Sequence, residues 1–210
     1  MSFDVNPKDI SVAEYLKFFG NQPGGIVLRW QFAGDHGERL SILEEALDRC
    51  YSRLVDTRGL NEDRSEDELS MQVANMLSAS GISARHDRHI NGHCDIVVDA
   101  EDGFMWLGEA KIHSDYSWLA DGFLQLSTRY GTAMEGRDHG ELIIYHRAGN
   151  SLNVLTTWQD RLFANHPDTE LSFDIAQPKL FFRTVHKCPN SGCDFHVRHT
   201  IIPLMHAPEK

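Results

Sequence analysis

The 210-residue chain contains no apolar run approaching the roughly 18 residues that would suggest a membrane-spanning helix. It begins MSFDVNPKDI, with neither a basic stretch nor an apolar core of the kind that marks a secretory leader, so a cytoplasmic protein is expected. Cysteine is sparse. Cys50, Cys94, Cys188 and Cys193 are too few to form a disulfide scaffold at this length, and in the cytoplasm they would stay reduced. Repeats and low-complexity tracts are absent. The glycines at 24–25 and 34–37 match no phosphate-binding loop, and no serine or cysteine stands in a recognisable nucleophile setting. Positive charge is also scarce: 20 Lys and Arg against 31 Asp and Glu leave a net charge of -11, which argues against a large nucleic-acid surface.

What is present suits one ordinary domain. Hydrophobic residues make up 41% and charged residues 24%, so the chain can bury a core without staples. The charge is uneven. Residues 171–210 carry more Lys and Arg (179, 183, 187, 198, 210) than acids (174, 194, 209), together with four of the histidines, which makes this segment a candidate for touching phosphate.

Local patterns divide the chain. Ser11 and Glu14 form a capping-box pattern before VAEYLKFF, Gly20 can stop that helix, and NQPGG at 21–25 reads as a loop. Over 38–57, Leu40, Leu43, Leu47, Cys50, Tyr51 and Leu54 recur at helical spacing. Residues 58–64 read as a linker. Ser65 then caps a second helix, with Glu68 three residues on and Leu69, Val73, Met76 and Leu77 as its apolar stripe. Strands are expected at 82–89, 93–100 and 104–112, a helix over 115–134, a strand at 141–147 and a helix at 151–165. A hairpin of 179–187 and 194–204 closes the chain. The fold class is therefore α/β. Residues 61–147 read as a core of helix, three antiparallel strands, helix and strand, the last strand returning parallel. Residues 1–60 are expected to be an N-terminal helical extension, and 148–210 a C-terminal helix and β-hairpin packed on the core.

Chemistry concentrates in the central hairpin. Centred on Asp102, its register sets Asp95 opposite Glu109 and His93 opposite Lys111. Alternation puts Glu109 and Lys111 on one face. Two carboxylates side by side repel unless a cation lies between them, so this arrangement suits a hard divalent metal, Mg2+ or Mn2+, beside a lysine.

A helix bearing glutamate, a hairpin bearing Asp95, then Glu109-Ala110-Lys111 and a further helix resembles the PD-(D/E)XK nucleases, the restriction-endonuclease-like fold. The resemblance covers roughly residues 65–147. It implies that Asp95, Glu109 and the Ala110 carbonyl bind the metal, that Lys111 orients or polarises the attacking water, and that Glu68, the helical glutamate, joins the catalytic and metal-binding set, with Glu66 the alternative. Glu68 also has a purely structural reading as the capping partner of Ser65. Cys94 stands where the family name has proline. Gln125 and Tyr130 resemble the Gln and Tyr that RecB-like exonucleases carry four apart, but here they are five apart. Gln125 and Arg129 share a helical face that could reach the site. His93 is a candidate for proton transfer, with His86 and His89 near it in sequence.

The implied activity is metal-dependent hydrolysis of phosphodiester bonds, with DNA the expected substrate, a homodimer a reasonable assembly, and a protein partner or activator an open alternative. Two other readings remain: an inactive nucleic-acid-binding or assembly module of the same fold, and a zinc-stapled interaction protein. For the last, His186, Cys188 and Cys193 share one face of the C-terminal hairpin, with Cys188 facing Cys193. A fourth ligand is missing: His199 lies about 20 Å along the strand from Cys193, and His196 faces the other way. The histidines and Arg198 could instead face phosphate.

Overall fold

The computed structural model describes residues 11–20, 22–172 and 180–208. The reading of the first ten residues and the predicted strand's start at 179 lie outside the described residues. Within them the chain is α/β, with six α-helices and a seven-stranded mixed sheet. The helices are α1 (Val12–Phe19), α2 (Pro23–Gln31), α3 (His36–Asp56), α4 (Glu66–Ala79), α5 (Tyr116–Leu124) and α6 (Ser151–Asn165). The strands are β1 (Ala84–His89), β2 (His93–Asp99), β3 (Met105–Ile112), β4 (His139–His146), β5 (Glu170–Leu171), β6 (Phe181–Lys187) and β7 (Asp194–Pro203). Among the described residues no helix is long and apolar enough to cross a membrane.

The sheet order is β1-β2-β3-β4-β7-β6-β5. β1, β2 and β3 form an antiparallel meander; β4 returns parallel to β3 through α5, and β7 lies parallel to β4. The C-terminal hairpin thus continues the sheet as a lateral extension. Helices cover both faces. On one, Leu43, Leu47 and Leu54 of α3 and Leu69, Val73 and Leu77 of α4 pack on Ile96, Val98, Trp106, Ile143 and Tyr145. On the other, Leu119 and Phe123 of α5 and Leu155, Trp158 and Leu162 of α6 pack on Leu107, Leu142, Ile144 and Val197. Each fully buried Leu of this kind contributes about 1.5–3 kcal/mol by leaving water. Within the expected N-terminal extension, α3 packs in the same core as α4 and the sheet, the arrangement of one compact domain.

α4 begins with the capping box read from the sequence: Ser65 Oγ accepts from the Glu68 N–H, and Glu68 Oε2 accepts from the Ser65 N–H at 2.7 Å. The β1–β2 turn uses Asn91 (φ 52) and Gly92 (φ 151), conformations that suit a tight hairpin. The expected loop at 21–25 is largely helix: α2 starts at position 23, with proline in the first turn, where its missing N–H costs nothing. A Cβ at Gly25 would lie 2.1 Å from the Phe19 carbonyl oxygen, so the glycine that weakens the local helical signal is what lets α1 and α2 meet.

Candidate functional site

The β2–β3 ladder keeps the register read from the turn, from Asp99–Met105 to Ile96–Gly108. Past Ile96 the Asp95 carboxylate takes over: its Oδ2 accepts from the Ala110 N–H at 2.7 Å. Two residues of β3 flank that contact. Lys111 Nζ donates to Glu109 Oε1 at 2.6 Å, and both side chains are almost fully buried. Asp95, Glu109 and Lys111 therefore come together where the strands part.

The fourth member is Glu66. It is the first residue of α4; its Oε2 accepts from the Ile112 N–H at 2.6 Å, and its Oε1 lies 3.5 Å from Lys111 Nζ. Glu68, named with Asp95 and Glu109 as a catalytic and metal-binding candidate, is not in this cluster. Its carboxylate is committed to Ser65 and its side chain is exposed. A helix turns by about 100° per residue, so positions 66 and 68 face different directions, and only the first meets β3.

Three carboxylates thus surround one ammonium. Burial raises Asp95 to about 6, although the Ala110 N–H and Lys111 pull it down. Burial, with Asp95 adding to it, raises Glu109 to about 7. Burial works against the charged form of Lys111, but Glu109 and Glu66 outweigh it and push its pKa up, so it is a fixed positive charge and a donor at neutral pH. One oxygen, Glu109 Oε2, is buried without a hydrogen-bond partner. Buried carboxylate oxygens are normally satisfied, so this orphan is an oxygen that could serve a hard cation. Among the described residues no three His, Cys, Asp or Glu side chains form a group able to hold a metal by themselves. The donor set available is therefore Asp95, Glu109, the Ala110 carbonyl and water.

α5 closes the site. The Trp118 ring centroid lies 5.0 Å from Lys111 Nζ. A Cβ at Gly122 would lie 2.9 Å from Lys111 Cγ and 3.0 Å from Leu142 Cδ1, so the glycine makes room for the lysine stem. The helix predicted over 115–134 is α-helical only to Leu124; Gln125–Tyr130 is a π-helix. Bonding from i to i+5 widens the turn, so residues five apart fall on nearly the same side. That supplies the geometry the five-residue spacing of Gln125 and Tyr130 lacked in an α-helix. The Tyr130 hydroxyl donates to the His93 carbonyl at 2.6 Å, tying this turn to the start of β2 two residues before Asp95. Arg129 is exposed and its stem lies against Gly92. Gln125 is half-buried.

Other expectations are corrected. His93 lies beyond the end of the β2–β3 ladder; its ring is exposed and bonds Asp87 Oδ1 at 2.7 Å. It is no partner of Lys111. The β6–β7 hairpin has the expected register, with Lys187 opposite Asp194. Among the described residues the expected zinc ligands are not gathered into a metal-holding group. Cys188 is buried with Sγ toward the Gly131 carbonyl, Cys193 is exposed, and His186 is packed against Phe123 and Phe195. Burial lowers His186 to about 4 and His199 to about 3. His199 sits between the Trp158 N–H and Thr184 Oγ1. In the C-terminal segment expected to touch phosphate, the described basic residues are paired with acids: Arg183 with Glu44, Lys187 with Asp194, and buried Arg198 with Asp48.

Trp118 and Gly122 were not singled out from sequence, although their spacing, with Gln125 three further on, is that of one helical face. Compared with protein-family models, curated proteins and solved structures, the chain has no match.

Proposed function

We propose that the protein is a metal-dependent nuclease of the PD-(D/E)XK type, with a restriction-endonuclease-like core. The observation that carries this reading is the charge imbalance at the end of the hairpin. Glu66, Asp95 and Glu109 bring three carboxylates to one lysine, burial and mutual repulsion hold back the ionisation of Asp95 and Glu109, and Glu109 Oε2 is buried with nothing bonded to it. A divalent cation on Asp95, Glu109 and the Ala110 carbonyl would restore balance; when bound it would neutralise phosphoryl oxygens and lower the pKa of a water. Lys111 supplies the rest. Held protonated by Glu109 and Glu66, it can donate to the attacking water or to a phosphate oxygen, so it positions and stabilises and does not act as a base. Glu66 anchors Lys111 and the Ile112 N–H together, which fixes the lysine relative to the strand. Tyr130 steadies the backbone leading into Asp95.

The test is cleavage of supercoiled and linear DNA in magnesium or manganese by the wild type, Lys111→Ala and Asp95→Ala, each checked for folding by circular dichroism. The expected result is metal-dependent cutting that falls by about a hundredfold or more in both variants, the scale of losing an electrostatic stabiliser. Variants that stay folded and cut like the wild type would sink the assignment.

A further inference from the structure

We propose that Trp118 is a stacking platform for an unpaired nucleobase, so that the substrate strand enters this site single-stranded. The proposal rests on the nuclease reading and goes beyond it by naming the form of the substrate. Three observations carry it. The first is exposure beside the chemistry. The Trp118 indole covers Lys111 at 5.0 Å, yet the residue is 41% exposed, while Trp106 and Trp158 are 1% exposed. An indole left open to water at a buried lysine has a free aromatic surface next to the reacting position. Base-on-aromatic stacking uses such a surface, and a base inside a duplex cannot offer its face.

The second is the line of residues behind it. Trp118, Gly122 and Gln125 follow the spacing of one helical face, and Arg129, on the wider π turn, lies against the Gly92 loop. The stretch thus carries an exposed aromatic ring, a half-buried amide and an exposed guanidinium in order. It runs about 16 Å along the helix axis, room for a few nucleotides of extended strand. Gly122 is buried against the Lys111 stem, so the exposed part of this stretch is Trp118 at one end and Arg129 at the other.

The third is charge. The chain is at -11, and Arg183, Lys187 and Arg198 of its C-terminal segment are paired internally. A duplex held by its two backbones needs many free cations. A single strand held by base stacking and one phosphate contact needs few, and Arg129 is in place to make that contact.

The test measures fluorescence anisotropy of labelled oligothymidylate, oligouridylate and a blunt duplex, each of about twelve nucleotides, in calcium. Cleavage is read separately in magnesium. The expected result is binding of single strands about tenfold tighter than duplex, a loss of about tenfold in Trp118→Ala, and recovery to within about threefold in Trp118→Phe. In cleavage, Trp118→Ala should raise KM more than Trp118→Phe does. Arg129→Ala should lower the salt dependence of single-strand binding by about 0.7 in log–log slope. Comparing oligothymidylate with oligouridylate separates a deoxyribose from a ribose substrate, since stacking reads neither sugar. Duplex binding as tight as single-strand binding, or a Trp118→Ala variant that binds single strands like the wild type, would overturn the platform. Wild-type cutting of duplex DNA alongside either result leaves the nuclease reading standing without it. Trp118-dependent single-strand binding with no cutting at all would overturn the nuclease reading and leave the platform.

Discussion

Replacing Asp95 with asparagine in metal-free buffer should stabilise the protein at pH 8 relative to pH 4. The asparagine Oδ1 can still accept from the Ala110 N–H, so the variant removes a charge and keeps the bond that holds β2 to β3. In the folded protein burial disfavours the charged form of Asp95 and pushes its pKa up to about 6, from the ordinary carboxylate value of 3.8. Below pH 3.8 both folded and unfolded states hold the proton and the site costs nothing. Between 4 and 6 the unfolded chain releases it first, so folding loses free energy as pH rises. The difference amounts to about 3 kcal/mol by pH 7. Coupling to Glu109 spreads part of this over both carboxylates, so the variant should recover a large part of that difference relative to wild type between pH 4 and pH 8. The comparison between variant and wild type cancels other titrations in that window, notably Glu141, raised to about 7 by burial, and His186 and His199, held neutral. The assay is urea denaturation at fixed ionic strength across this range. Magnesium should reverse the order at pH 8, because the cation binds the folded wild type and offsets the repulsion. A stability difference independent of pH, or one that moves against the variant as pH rises, would refute the account of the site as short of positive charge.

Other outcomes follow from the same geometry. Glu66→Gln should cut about tenfold more slowly, by loosening its hold on Lys111 and Ile112, whereas Glu68→Ala should lower the thermal midpoint and leave cutting unchanged. Equal loss of cutting in both would reject the distinction between them. Gly122→Ala puts a methyl group 2.9 Å from Lys111 Cγ. It should cost about 1–3 kcal/mol by overpacking, read by urea denaturation, and reduce kcat more than it raises KM. Tyr130→Phe removes the donor to the His93 carbonyl. It should lower stability by about 1 kcal/mol and slow cutting, because the backbone before Asp95 is freed.

Much of this molecule is written in short-range pattern. The apolar stripe of α3 appears at helical spacing and is buried as that spacing demands. Ser65 and Glu68 announce the start of α4, and the capping box forms with both hydrogen bonds. The Glu101-Asp102-Gly103 turn sets the β2–β3 register, because a two-residue side-chain period allows no slip that keeps the buried face buried. From that register alone Asp95, Glu109 and Lys111 are neighbours. These signals are local: the atoms that carry them lie within a few residues of one another or directly across a tight turn.

Whatever depended on how elements dock was decided by the tertiary structure. The first turn of α4 reads Glu66-Asp67-Glu68, and its sequence does not say which carboxylate meets Lys111; the docking of α4 at the end of β3 selects Glu66. Helix α2 forms despite two consecutive glycines, because one of them lets α1 pack within reach of its backbone. The π-turn that realigns Gln125 and Tyr130, the Trp118 ring over Lys111, and the separation of buried Cys188 from exposed Cys193 are likewise matters of packing. Sequence alone determined most of the secondary elements and the central carboxylate–lysine pair, because hydrogen bonding and side-chain alternation act along the chain; α2, β5 and the π-turn escaped it. The tertiary structure decided which acid completes the cluster and which aromatic stands over it, because those contacts join residues dozens of positions apart or on separate elements, and packing alone brings them together.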